Sequence, residues 1–229
     1  MERRRLSGWV RVLMCIALAP TLAGALDAEF VADFEAMETG QPPEGFSTAL
    51  TGGGGPPLWT IQEDPTAPSG NKVLVQTTSD DTRYRFPICF YADFTGKDLD
   101  LSVAFKPISG RVDQAAGLVW RYRDAENYYV VRANALEDNV VLYKVENGKR
   151  SDLKPKGVWL FSYGKQAPVP AQRWSTLRVA VRGPEFSVSL NGEHLFEVED
   201  ATFSDPGKVG VWTKADSVTA FDSLVVKGR

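Results

Sequence analysis

Cysteine and histidine are nearly missing from this chain, with two of the first and one of the second in 229 residues. Cys15 falls in an N-terminal apolar run. Cys89, between Ile88 and Phe90, is then left alone, so no internal disulfide can staple the rest. Stability must come from a hydrophobic core, and Cys89 reads as a small buried apolar residue. The single His194 follows an Asn191-Gly192 turn. It excludes a His-rich metal centre and reads as a hairpin surface residue, not a catalytic base. No Gly-x-Ser-x-Gly elbow occurs, and the glycines at 52–55 lack the Lys-Ser/Thr of a phosphate loop. Basic charge is not in excess either: 26 lysines and arginines stand against 29 acids. Such a balance offers nucleic acid no electrostatic footprint.

What is present starts at the N-terminus. Arg3, Arg4, Arg5 and Arg11 precede an apolar run from Val12 to Leu22, which ends in Ala23-Gly24-Ala25. A basic region, an apolar stretch and a small-x-small site make a secretory signal over residues 1–25. The run is shorter than the roughly 20 apolar residues of a membrane span. Leu13 and Met14 before Cys15 are not the small pair of a lipid-attachment box. Cleavage is therefore expected near Ala25, giving a periplasmic or secreted chain with no membrane insertion. Residues 26–229 have the length of one all-β domain. With the signal removed, 22 basic and 28 acidic side chains remain, a net charge of −6.

The remainder carries period-two patterns and turn signals in place of helical periodicity. Leu99, Leu101, Val103 and Phe105 alternate with polar or small residues. Further strands are expected over 115–122, 128–133, 139–145, 178–181, 186–190, 194–198, 209–212 and 218–226. Asn147-Gly148 and Asn191-Gly192 mark hairpins. About ten strands at this spacing predict a two-sheet antiparallel jelly roll. Residues 37–70, rich in Pro and Gly, read as loop with at most a short strand around Trp59 and Ile61. A second loop, 154–170, carries Trp159, Phe161 and Tyr163 and is expected to fold over the core or over a groove.

Several segments resemble a known pattern. Gly117-Leu118-Val119-Trp120-Arg121-Tyr122, Asn127-Tyr128-Tyr129-Val130-Val131-Arg132, Leu190-Asn191-Gly192 and Gly207-Lys208-Val209-Gly210-Val211-Trp212 follow one another as in laminin G-like domains. The resemblance implies an all-β, concanavalin A-like sandwich over roughly residues 33–226. It points towards bacterial exported proteins beside the family 16 glycoside hydrolases or the 3-keto-disaccharide hydrolase domain. That superfamily holds lectins, hydrolases and adhesion modules alike, so the fold does not fix the activity. The Glu-x-Asp-x-x-Glu series of family 16 enzymes is absent. Glu197-Val198-Glu199-Asp200 reads as a solvated charge run.

Strict alternation sorts the central strands into two faces. A buried face does not readily take three cations, so Arg121, Arg132 and Lys144 are expected to share an outward face with Tyr128 and Asn134. Trp212 and Lys214 should join them, with Asp216 nearby. Aromatics stack on sugar C–H faces while Arg, Asn and Asp bond hydroxyls, so the expected ligand is a glycan or sugar-derived molecule. Clustered cations favour an acidic one. The alternative for each residue is a solvated sheet face. No cofactor is expected except a structural Ca²⁺, a feature of the resemblance, for which Asp33, Glu35 and Asp222 are the candidate ligands. The leading reading is a non-catalytic glycan-binding domain. A 3-keto-glycoside enzyme and a protein-binding adhesion module are the alternatives. Oligomeric state is left open.

Overall fold

A computed structural model describes residues 29–158 and 163–228. The expected signal at 1–25 and the loop residues Trp159 and Phe161 lie outside the described residues.

Every regular element among the described residues is a strand. In chain order they are β1 (Glu29–Ala32), β2 (Phe46–Gly52), β3 (Trp59–Glu63), β4 (Lys72–Gln76), β5 (Arg85–Tyr91) and β6 (Leu99–Ser109). Next come β7 (Ala115–Asp124), β8 (Asn127–Asn134), β9 (Asn139–Glu146), β10 (Lys149–Asp152) and β11 (Lys165–Gln166). The chain ends with β12 (Ser175–Arg182), β13 (Glu185–Leu190), β14 (Glu193–Glu199), β15 (Lys208–Trp212) and β16 (Val218–Gly228). The first sheet runs β14-β13-β12-β6-β16-β4-β3, with β1 also on β16. The second runs β10-β9-β8-β7-β15-β5-β2, with β11 also on β9. Both are antiparallel, and together they form the expected all-β jelly-roll sandwich.

The expected alternation holds where the sheets face each other. Leu99, Leu101, Val103 and Phe105 meet Leu118, Trp120, Tyr129, Val131, Val209 and Val211 in one core. Burying each such side chain contributes about 1.5–3 kcal/mol. The 37–70 reading needs correction, because β2 forms inside it. Its Phe-Ser-Thr-Ala-Leu-Thr-Gly sequence has little alternation, yet β5 pairs with it from Phe46↔Tyr91 to Gly52↔Arg85. An edge strand needs only one partner, so the sequence signal was weak. Strands β4 and β5 escaped notice for the opposite reason: they are short runs buried on both faces, without alternation.

The second sheet also buries its outer face. Phe86, Ile88, Val119, Tyr122, Tyr128, Val130, Val141, Tyr143 and Trp212 form a second apolar cluster there. Four strands separate β5 from β10 in the sheet order. A flat sheet would hold them about 24 Å apart. Yet Tyr84 Oη, just before β5, donates to Gly148 O at 2.8 Å and accepts from Arg150 N–H at 2.7 Å. Thr51 of β2 likewise donates to Ala125 O at 2.5 Å in the β7–β8 turn. The sheet is therefore curled, and its far margins clasp over an aromatic floor.

Tyr84→Phe keeps the ring on Phe86 and deletes both clasp bonds. The expected loss is about 1 kcal/mol in a urea melt, with faster amide exchange at Arg150, whose N–H the hydroxyl accepts. Unchanged exchange there would show that the clasp does not hold the curl.

Candidate ligand-binding site

The outer face carries its polar chemistry at one end, around the β8–β9 turn. Arg132 projects from β8 on the same face as Val130 and Tyr128. Its Nη2 donates to Glu137 Oε2 at 2.9 Å and to Asn139 Oδ1 at 2.7 Å. Asn139 Nδ2 donates to the same Glu137 oxygen at 3.0 Å. Asp138, at φ 47°, turns the chain, and its carboxylate accepts Val169 N–H at 2.9 Å. This bond anchors the incoming 163–169 segment. Tyr163 at its start reaches Tyr143, hydroxyl to hydroxyl, at 2.5 Å. The Arg132 guanidinium lies 5.7 Å from both ring centroids. Glu137 is 39% exposed in its side chain and Tyr163 is 45% exposed, so a carboxylate and a ring edge this site.

Two loops complete it. Asp113 accepts Asn134 Nδ2 at 2.8 Å and pairs with the Lys214 ammonium. Asp216 accepts backbone N–H groups from Arg111 at 2.7 Å and from Val112 and Asp113 at 3.0 Å each, so it holds the loop that presents Asp113. Burial works against the Asp216 charge, yet those N–H donors keep its carboxyl below the ordinary range. Glu137 is similar: burial raises it, while Arg132 and Asn139 outweigh burial and lower it. For Arg132, burial disfavours the charge, and Tyr143, Glu137 and Tyr163 more than compensate.

The expected constellation is thus split. Arg132, Asn134 and Lys214 come together, with Asp216 as the loop clamp. Tyr128 and Trp212 share the face but are floor. Tyr128 Oη bonds Thr51 Oγ1 at 2.8 Å and accepts Trp212 Nε1 at 3.4 Å, and both rings are fully buried. Arg121 does not share this face. Between Val119↔Gly210 and Tyr122↔Lys208, two residues of β7 stand opposite one of β15, and Arg121 takes φ 47°. This bulge re-aims Arg121 towards the first sheet. There it donates to Phe203 O at 2.8 Å, Gly183 O at 2.6 Å and Lys97 O at 3.2 Å. Lys144 also lies on the opposite face, because it pairs in register with Tyr129. Its ammonium bonds Thr202 Oγ1 at 2.6 Å and Asp200 at 3.3 Å, while Tyr129 Oη donates to Asp200 at 2.5 Å. Asp200 is therefore a partnered group, not a member of a solvated run.

Sequence reasoning missed Glu137 and Asn139, which sit in an unremarkable turn, and Tyr143, which carries no polar signal of its own. The aromatic loop does bring Tyr163 here. Asp33, Glu35 and Asp222 do not gather as cation ligands. Asp33 accepts Glu35 N–H at 3.2 Å. Glu35 accepts Asn71 and Lys72 N–H at 2.9 and 2.6 Å, and Asp222 accepts Ser69 N–H and Oγ at 2.7 Å each. The Lys72 ammonium takes Glu35 O at 3.0 Å and Met37 O at 2.7 Å. These donors do not fit a Ca²⁺ ligand set, and no three His, Cys, Asp or Glu side chains cluster for a metal among the described residues. An aromatic cleft of about 370 Å³ lies elsewhere, between Phe30, Phe34, Phe46 and Tyr91.

Solved structures share this architecture. Carbohydrate-binding module CBM66 from Bacillus subtilis superposes with a TM-score of 0.55 at 20% identity, covering 74% of this chain and 95% of that one. Cellulose-induced protein Cip1 gives 0.58 at 10% identity over 86% and 96%. A protein of unknown function from Shewanella oneidensis MR-1 gives 0.54 at 14% over 88% and 86%. The shared fold is the two-sheet antiparallel β-sandwich. No family model and no curated protein matches the chain, so the finer likeness to the 3-keto-disaccharide hydrolase domain has none behind it.

Within this sandwich Arg121 serves the core. Arg121→Met strands several carbonyls and should cost about 3 kcal/mol in a denaturant melt; an unchanged midpoint would remove Arg121 from the core's support. Glu137 should be visible in acid. Its folded pKa is lowered, so its ion-pair contribution is complete above the ordinary glutamate value and lost as pH falls through the folded value. Glu137→Gln should therefore flatten the stability–pH curve in that acidic window; an unchanged slope would remove the ion pair from the account.

Proposed function

We propose that this chain is an exported glycan-binding domain whose ligand meets the Arg132–Glu137–Tyr163 end of the second sheet. The observation that carries the reading is the half-exposed Glu137, oriented by a buried arginine beside an exposed tyrosine ring. A sugar needs both a flat ring for its C–H face and fixed polar groups for its hydroxyls. Tyr163 supplies the first, and Glu137 and Lys214 supply the second. Because Arg132 and Asn139 already hold the carboxylate, little side-chain freedom is lost on binding. The fold agrees with this reading, since a carbohydrate-binding module is among its structural neighbours. Export rests on the basic, apolar and small-residue sequence at 1–25.

A glycan array followed by calorimetry on residues 26–229 tests the proposal. Binding should weaken about tenfold in Tyr163→Ala and in Glu137→Gln, the loss expected for one stacking or one charge-assisted contact. Failure of every glycan to bind, or undiminished affinity in both variants, would refute it.

A further inference from the structure

Arginines over this part of the fold almost all spend their guanidinium on oxygen. Arg85 reaches Gly55 O, Ala215 O and Thr78 Oγ1, Arg121 reaches three carbonyls, and Arg132 reaches Glu137 and Asn139. Arg150 is different. From β10 its side chain crosses the curled face, with the guanidinium 4.4 Å from the Tyr143 centroid and 4.6 Å from the Phe86 centroid. Nη1 is buried with no hydrogen-bond partner. No carboxylate among the described residues pairs with the guanidinium, and only the backbone N–H is engaged, by Tyr84.

A buried donor without an acceptor costs stability, and ring contact does not replace the missing hydrogen bond. The neighbourhood shows what could supply one. Arg150 and Arg132 lie against the same Tyr143 ring, but the charge of Arg132 is balanced by Glu137 and that of Arg150 by no carboxylate among the described residues. The row Phe86, Arg150, Tyr143, Tyr163 and Glu137 is thus aromatic throughout its first part, with one uncompensated cation. An arginine fork suits a planar two-oxygen anion.

We propose that Arg150 is an oxyanion-binding point on this face, and that the glycan it takes is acidic, presenting a uronic acid carboxylate to Nη1 while its rings lie along Tyr143 and Tyr163. The inference rests on the glycan-binding reading and narrows its ligand class. A sulfate ester offers the same chemistry, and the experiment separates the two sources.

The probes are tetragalacturonate, tetramannuronate and a glucuronate-containing tetrasaccharide, each beside its neutral methyl ester, with a sulfated galactan tetrasaccharide as a further arm. Each is titrated calorimetrically into residues 26–229 and into Arg150→Met, which keeps an apolar stem over both rings. Melting temperature confirms that the variant folds. At least one uronate should bind about tenfold tighter than its ester, the worth of one charge-assisted contact, and Arg150→Met should erase that difference while leaving ester affinity unchanged. The same loss for the sulfated probe alone supports the oxyanion site and assigns it to sulfate. Acid and ester binding alike with no loss for the sulfated probe, or an acid preference that survives in Arg150→Met, overturns the inference and leaves the glycan reading standing. No binding by any probe or any arrayed glycan removes both.

Discussion

The constraint on which this structure turns is that its second sheet is buried on both sides. One face packs against the first sheet in the ordinary manner of a sandwich. The other is curled until β2 and β5 touch the turns beside β8, β9 and β10, through Thr51 to Ala125 and Tyr84 to Gly148 and Arg150. Inside that curl Phe86, Trp212, Tyr128 and Tyr143 close on one another. Phe86 and Trp212 lie 5.3 Å apart between centroids, within the range where aromatic pairs add to area burial. A face organised this way cannot present its central residues as an open trough. Chemistry is available only at its margins.

This explains why the polar groups end up where they do. At the β8–β9 margin a turn residue, Glu137, can stay in solvent while the arginine that orients it is buried. Buried ion pairs are costly unless further hydrogen bonds support them, and Asn139 supplies an additional bond to each partner here, while Arg132 Nε stays buried without one. Asp216, Asp113, Lys214 and Asn134 form a second chain of bonds that fixes the neighbouring loops. The two chains hold the margin rigid from opposite directions. Rigid support beneath a few exposed groups is what a binding site requires.

Much of the fold was legible because alternation is a direct imprint of two faces, and β6, β12 and β13 carry it clearly. The site was legible only in part. Arg132, Asn134 and Lys214 followed from phase, but Arg121 did not, since one extra residue in β7 reverses every assignment beyond Trp120. Nothing in Trp120-Arg121-Tyr122 announces that bulge; it becomes visible only through the register against β15. Lys144 went astray by a different route, an assumption that a core-side cation must be rare. The cation instead reaches past the core to Asp200 and Thr202 at the sheet margin, as long side chains can. Glu137 and Arg150 had no periodic signal at all, because a turn and a short edge strand owe their roles to the curl.

The central claim is that ligand meets the Tyr143–Tyr163–Glu137 margin, and amide chemical-shift mapping of the isotopically labelled protein tests it most directly. On addition of a glycan that binds, the largest shifts should fall on Glu137, Asn139, Tyr163, Arg150 and Lys214. Shifts confined to the Phe30–Phe46–Tyr91 cleft, or to the first sheet, would contradict the account.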